Sequence, residues 1–137
     1  MYLVDTNVVS ELRKKNANVG VKAFFAHAIE SEEKVYLSVI TIGELRRGVE
    51  LIRHRGDIPQ ALQLETWLVR ILENYEESIL EIDQEIAQVW GKLRAPNYEN
   101  ALDKLIAATA IINDLILVTR NISDFKSTGA KVLNPFQ

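Results

Sequence analysis

Four short runs in this chain are apolar on consecutive positions, with helical spacing between them. They are YLV at Tyr2–Val4, VYLSVI at Val35–Ile40, ILEI at Ile79–Ile82 and ILVT at Ile116–Thr119. A strand with one wet face alternates apolar and polar residues. A strand with apolar residues on successive positions must be covered on both sides. Strands of that kind, separated by helices, specify a mainly parallel sheet sandwiched between helical layers. A short run at Lys131–Asn134, KVLN, reads as a final strand.

The intervening segments carry helix signals. A short helix is expected from Asn7 to about Lys15, begun by Thr6. Val21, Phe24, Phe25, Ala28 and Ile29 share a helical face within Val21–Ser31. A helix is predicted after Thr41, with Leu45, Val49 and Ile52 on one side. Asp57 with Pro59 starts another, since Asp caps well and Pro is tolerated in a first turn. Asp83 caps the helix that carries Ile86, Val89, Trp90 and Leu93. Ala95–Tyr98 is a loop, and Leu102–Ile112 is helical with Asn100 as its cap. The 137 residues make one domain, 1–137, large enough to bury about two-thirds of its unfolded surface.

Composition excludes several classes of function. The chain has no cysteine, which removes disulfides, zinc–thiolate sites and thiol catalysis, and fits a reducing cytoplasm. Its longest apolar run, Leu105–Ile112, is far short of the roughly 18 residues of a membrane span, so no membrane partner is expected. A formal net charge of −3 means that a polyanionic partner must be held by local basic groups or bound cations. His27 and His54 lie in predicted helices without an acid or serine at catalytic spacing.

In an open parallel sheet, ligands bind beyond the carboxyl ends of the strands. Four acids fall there: Asp5, Glu44, Asp103 and Asp124. Each has an ordinary alternative. Asp5 ends a strand. Glu44 completes a capping box, Thr41-Ile-Gly-Glu44. Asp103 follows Asn100 in a looser version of the same pattern, and Asp124 is a loop acid. Together they outweigh those alternatives. Two carboxylates about 5 Å apart repel by roughly 3 kcal/mol at an effective dielectric near 20. A sheet edge that gathers several needs a cation or a proton, and oxygen-only donors suit Mg²⁺ or Mn²⁺ better than Zn²⁺.

MYLVDTNVVSEL, SVITIGELRRG, LDKLIAATA and LVTRNISDF occur in that order, followed by VLNPF. With these motifs the whole chain resembles the PIN-domain ribonucleases, and most of all the toxin subunits of VapBC-type toxin–antitoxin pairs. The resemblance implies an α/β/α sandwich and a Mg²⁺- or Mn²⁺-dependent endoribonuclease. In that mechanism a metal-activated water cleaves the phosphodiester, leaving a 5′-phosphate and a 3′-hydroxyl. It implies Asp5, Glu44 and Asp103 as catalytic acids, with Asp5 and Asp103 on the metal. Asp124 or Asn121 completes the set, because some relatives have an acid where this chain has Asn121. Thr6 and Asn7 would orient Asp5, and Thr119 would support the opposite wall. Arg46, Arg47, Arg53, Arg55 and Arg120 are candidate contacts to RNA or to the antitoxin. A homodimer and a cognate antitoxin are the implied protein partners. Two other readings stay open: a catalytically inactive PIN-like binding module, and a phosphoacceptor receiver domain, which is also parallel α/β with acids at strand ends.

Overall fold

The computed structural model describes residues 1–137 and contains a five-stranded sheet. The strands are β1 (Tyr2–Val4), β2 (Val35–Ser38), β3 (Ile79–Leu80), β4 (Ile116–Val118) and β5 (Val132–Leu133). All neighbours pair in parallel, in the order β3-β2-β1-β4-β5. The helices are α1 (Thr6–Glu11), α2 (Val19–Glu30), α3 (Val39–His54), α4 (Ile58–Asn74), α5 (Gln84–Leu93), α6 (Ala101–Ile112) and α7 (Ile122–Phe125). Single 3-10 turns at Glu76–Ser78 and Lys126–Thr128 precede β3 and follow α7.

The doubly apolar strands divide their side chains between two cores. Val4, Leu37 and Val118 pack with residues of α1 to α4 on one face. Leu3 and Leu117 pack with Ile106, Ala107, Ala110 and Phe125 on the other. The alternation follows the two-residue period of a strand, and the register agrees, with Leu3 opposite Leu117 and Val4 opposite Val118. The small residues of α6 let that helix lie close to the sheet: Ala107, Ala108 and Ala110 are completely buried. No helix is long and apolar enough to cross a membrane.

Caps at Asp57 and Asp83 form as expected. Asp57 Oδ1 accepts from the Gln60 N–H and Asp83 Oδ1 from the Ile86 N–H. Three expectations fail locally. First, β2 ends at Ser38, and Val39 and Ile40 open α3. Ser38, in extended conformation, is the N-cap, its hydroxyl accepting from the Ile40 N–H at 3.0 Å. The Thr41–Glu44 capping box therefore does not form. Thr41 is the third helical residue, wholly buried. The β-branched run Val39–Thr41 reads as strand by propensity, but a cap and a buried face outweigh that weak preference.

Second, α1 does begin at Thr6, with Asp5 as its N-cap, but it stops at Glu11 instead of running on toward Lys15. Third, the segment after β4 coils into the short helix α7. Asn100 does cap α6 by position, but in a left-handed conformation with φ 55° and without a side-chain bond. Asn tolerates that region better than most residues.

The C-terminal tail closes the structure against the start of α2. Asn18 accepts from the Gln137 N–H and donates to the Gln137 carbonyl. Pro135 O stands 2.1 Å from where a Cβ on Gly20 would sit. Gly20→Ala should therefore cost about 1–3 kcal/mol of stability through overpacking. Gly48→Ala, in mid-helix with nothing within 4 Å, should be neutral or stabilising by up to about 1 kcal/mol. Urea denaturation of both variants checks the pair of signs.

Candidate active site

The strand order reverses between β1 and β4. The chain winds outward through β2 and β3, then returns to the other side of β1. At such a switch point the two connecting segments diverge and leave a crevice beyond the strand ends. Asp5 ends β1 there, and Thr119 follows β4. Their side chains meet across the crevice, with the Thr119 hydroxyl donating to Asp5 Oδ2 at 2.8 Å. The Thr6 N–H donates to Asp5 Oδ1 at 2.8 Å, and Asn7 Nδ2 lies 3.4 Å from Oδ2. Asp5 is only 4% exposed. Burial raises its pKa; the bonds from Thr119 and Thr6 work against that rise, and the charges of Glu44 and Asp124 add to it.

Glu44 arrives from α3. Because α3 begins at Val39, Glu44 lies one turn beyond Thr41, on the side of the helix that faces α1. The Thr6 hydroxyl donates to Glu44 Oε1 at 2.7 Å and lies 3.2 Å from the Thr41 hydroxyl. Thr6 holds a single proton, so with that proton given to the carboxylate its oxygen is free to accept from Thr41. Asp103 projects from the first turn of α6. Its pKa is pushed up to about 6, by burial first and then by the negative charges of Asp5, Asp124 and Glu44. Asp124 lies in the first turn of α7. Four acids distant in sequence thus share one electrostatic neighbourhood.

None of the four takes part in an ion pair; the salt bridges of the chain lie elsewhere. A cluster of carboxylates without a counter-ion, two of them with raised pKa, is the donor chemistry that a hard divalent cation requires. The ligand geometry itself is not closed: no three His, Asp or Glu side chains stand together as a metal-binding group. Asp5 and Asp103 are the two members of the group whose pKa is raised, and the charge of Asp5 contributes to the rise at Asp103.

The supporting residues converge on the same crevice. Asn7 Oδ1 accepts from the Arg120 N–H at 3.2 Å, and the Asn121 N–H donates to the Thr119 hydroxyl oxygen at 3.1 Å. Thr119 thus donates a hydrogen bond to Asp5 while its oxygen accepts one from the turn after β4. Asn121 is the N-cap position of α7 and makes no side-chain cap bond.

The arginines divide into two groups. Arg46 grips Glu65 of α4 through both terminal nitrogens, at 2.9 and 2.6 Å, and Arg53 reaches Glu50 and the same Glu65. Hydrogen bonds from Arg46 and then Arg53 hold the Glu65 carboxyl down to about 2. Those two arginines clamp α3 to α4. Arg47, Arg55 and Arg120 form no ion pair, although Arg120 stacks over the Phe136 ring at 4.9 Å.

Sequence reasoning missed a cavity of about 470 Å³ that opens beside Glu44. Leu45, Val49, Ile52, Leu64 and Trp67 line it, and Arg13, His54 and Arg55 contribute basic groups. The helical spacing of Leu45, Val49 and Ile52 was legible as an apolar face. That this face is not fully covered by α4 was not.

A PIN domain profile matches residues 2–131, and the chain belongs to the PIN domain family. It is homologous to VapC- and FitB-type toxins of toxin–antitoxin systems. Toxin FitB of Neisseria gonorrhoeae is 35% identical over 141 residues, covering 99% of both proteins. VapC ribonuclease Y4jK of Sinorhizobium fredii is 30% identical, over 100% of this chain and 99% of the relative. A solved structure of FitAB bound to an IR36 DNA fragment superposes with a TM-score of 0.81 at 31% identity, over 100% of this chain and 96% of that one. The receiver-domain reading is excluded, since that fold orders its strands 2-1-3-4-5 and this one 3-2-1-4-5.

The raised pKa of Asp103 has a thermodynamic consequence. The folded protein holds that proton more tightly than the unfolded chain, so stability falls as pH rises from about 4 through about 6. The gap between the ordinary 3.8 and about 6 is worth at most about 3 kcal/mol, and partial solvent contact lowers it to about 1–2 kcal/mol. Asp103→Asn in EDTA should therefore be more stable than wild type by that amount at pH 7.5, with the advantage gone at pH 4. Equal stability at both pH values would mean that Asp103 does not share a site with the other acids. Urea titrations across the range decide it.

Proposed function

We propose that the chain is the toxin of a type II toxin–antitoxin pair: a Mg²⁺- or Mn²⁺-dependent endoribonuclease acting in the cytoplasm on RNA phosphodiesters. The observation that carries the reading is the group of Asp5, Glu44, Asp103 and Asp124, drawn into one field at the switch point with no counter-ion. Homology to FitB and to VapC ribonuclease Y4jK agrees with it. A divalent ion held there supplies positive charge at the scissile phosphate and acidifies the attacking water, as in two-metal nucleases.

The chain's own residues set the geometry. Thr119 and the Thr6 N–H lock the two Asp5 oxygens from opposite sides, so the carboxylate has one orientation. Thr6 ties Glu44 to the start of α1, coupling the second acid to the first. Asp103 and Asp124 complete the opposite wall, with Asn121 as a neutral neighbour of the last. In-line attack by water leaves a 5′-phosphate and a 3′-hydroxyl and does not use the RNA 2′-hydroxyl. Arg47, Arg55 and Arg120, free of ion pairs, are the candidates for phosphate contact.

The cavity beside Glu44 is where an antitoxin would act. Its apolar floor suits the hydrophobic side of a peptide segment, and the Glu44 carboxylate on its wall suits an arginine. That arginine would stand in for the cation and block the site. A homodimer is the expected assembly, by resemblance to the toxin subunits. The inactive-module alternative would tolerate loss of the acids, and here all four candidates are present.

Purified protein should cleave RNA with Mg²⁺ or Mn²⁺ and stop in EDTA. Asp5→Asn, Glu44→Gln and Asp103→Asn should each lose about 100-fold or more in rate. The rise in melting temperature that Mg²⁺ confers by binding the folded state should shrink in all three. Parallel Asp124→Asn and Asn121→Ala variants assign the fourth position by the larger loss. Cleavage that persists undiminished in EDTA, and in a triple variant prepared identically, would refute the metal-nuclease reading.

A further inference from the structure

The loop between α5 and α6, residues 94–100, presents one large aromatic side chain to solvent. Tyr98 is 74% exposed, in contrast to Trp90 and Tyr75, which are partly buried. An isolated exposed ring on a mobile loop would mean little. Here the backbone beneath the ring is tied at several points. Buried Lys104 donates from Nζ to the Asn97 carbonyl at 2.6 Å. Arg94 directs Nε and Nη2 to the Tyr98 carbonyl, at 3.4 Å each, and its guanidinium lies over the Trp90 ring at 4.7 Å. Trp90 Nε1 donates to the Ala101 carbonyl at 2.9 Å. The main chain is anchored on both sides of Tyr98 while its ring touches none of the other aromatic rings.

The loop stands at the catalytic edge. It leads into α6, whose first turn carries Asp103, five residues beyond Tyr98, so the Cα atoms of Tyr98 and Asp103 are at most about 18 Å apart. The chemistry on offer is not charge. Lys104 and Arg94 spend donors on loop carbonyls, and the exposed neighbour Glu99 repels phosphate. What remains is a π-face on a pre-ordered backbone, in a protein whose net charge of −3 gives it little general hold on a polyanion. Aromatic faces bind single-stranded nucleic acid by stacking, whatever the base sequence.

We infer that Tyr98 is a nucleobase-stacking platform that grips single-stranded RNA a few nucleotides from the scissile phosphate. The inference rests on the ribonuclease reading for the direction of the strand toward Asp5 and Asp103. Tyr98 is a binding residue in it, without a part in the chemical step.

The test measures binding apart from cleavage. A short single-stranded RNA of mixed sequence, fluorescently labelled, is titrated with protein in EDTA, followed by anisotropy. Tyr98→Ala should weaken affinity by roughly 5- to 100-fold, with the salt slope unchanged because no cation is lost. Tyr98→Phe and Tyr98→Trp should bind as wild type does. An RNA backbone lacking bases should not distinguish Tyr98→Ala from wild type. With Mg²⁺, Tyr98→Ala should raise KM and spare kcat. Equal RNA binding by Tyr98→Ala and wild type, or by neither, overturns the inference. So does failure of Phe to rescue, which would assign the hydroxyl, and so does a changed dimer mass, which would place the ring between subunits. If wild type fails to cleave RNA with either metal, the ribonuclease reading falls while the binding titration still judges Tyr98.

Discussion

Everything at the candidate site depends on a carboxylate that is buried and yet held ready to carry charge. Asp5 sits at the end of a central strand with its oxygens satisfied by groups from two different segments. The bond from Thr119 matters most, because Thr119 and Asp5 are separated by nearly the whole chain and meet only when β4 docks beside β1. Burial opposes ionisation, and the two donors oppose burial. The carboxylate is therefore oriented without being neutralised by a cation, which leaves its charge available to a ligand.

The same logic extends outward from Asp5 by connected hydrogen bonds. Thr6 gives its amide to Asp5 and its hydroxyl to Glu44, so the first residue of α1 is the mechanical link between β1 and α3. That link exists only because α3 starts at Val39. Had Thr41 been the cap, its hydroxyl would have turned to the helix backbone and Glu44 would have folded back to the helix start. A single capping choice at Ser38 places Thr41 in the interior and sends Glu44 toward Asp5.

The fold was legible because it follows from apolar periodicity. Successive apolar residues in β1, β2 and β4 require cover on both faces, and the alternation of Leu3 with Val4 and of Leu117 with Val118 is how the two cores divide them. The acids were legible as a set by their position after strands, and the ordered motifs carried their likeness to PIN domains. What escaped was set by tertiary context. Val39 and Ile40 have strand propensity but lie in a helix, and α7 forms where the sequence reads as turn. Arg46 and Arg53 look like free basic groups until Glu65, on another helix, is seen to hold both. The cavity beside Glu44 was hidden for the same reason, since the gap between two helices is a property of their packing.

The arginine clamp and the cavity belong to one arrangement. Glu65 joins Arg46 and Arg53 on the outer side of the α3–α4 pair, whereas Leu45, Val49, Leu64 and Trp67 line the side toward Glu44. Pinning the two helices through long polar side chains fixes their separation without filling the space between them. A partly exposed network of this kind adds little to stability, so its consequence is geometric. It keeps open an apolar cleft ending at a carboxylate that the rest of the site needs uncompensated. An occupant that brings its own cation to Glu44 would at once fill the cleft and supply the charge that the four acids lack. Occupation of the cleft by such a group and cation binding among the acids would be competing answers to one electrostatic problem.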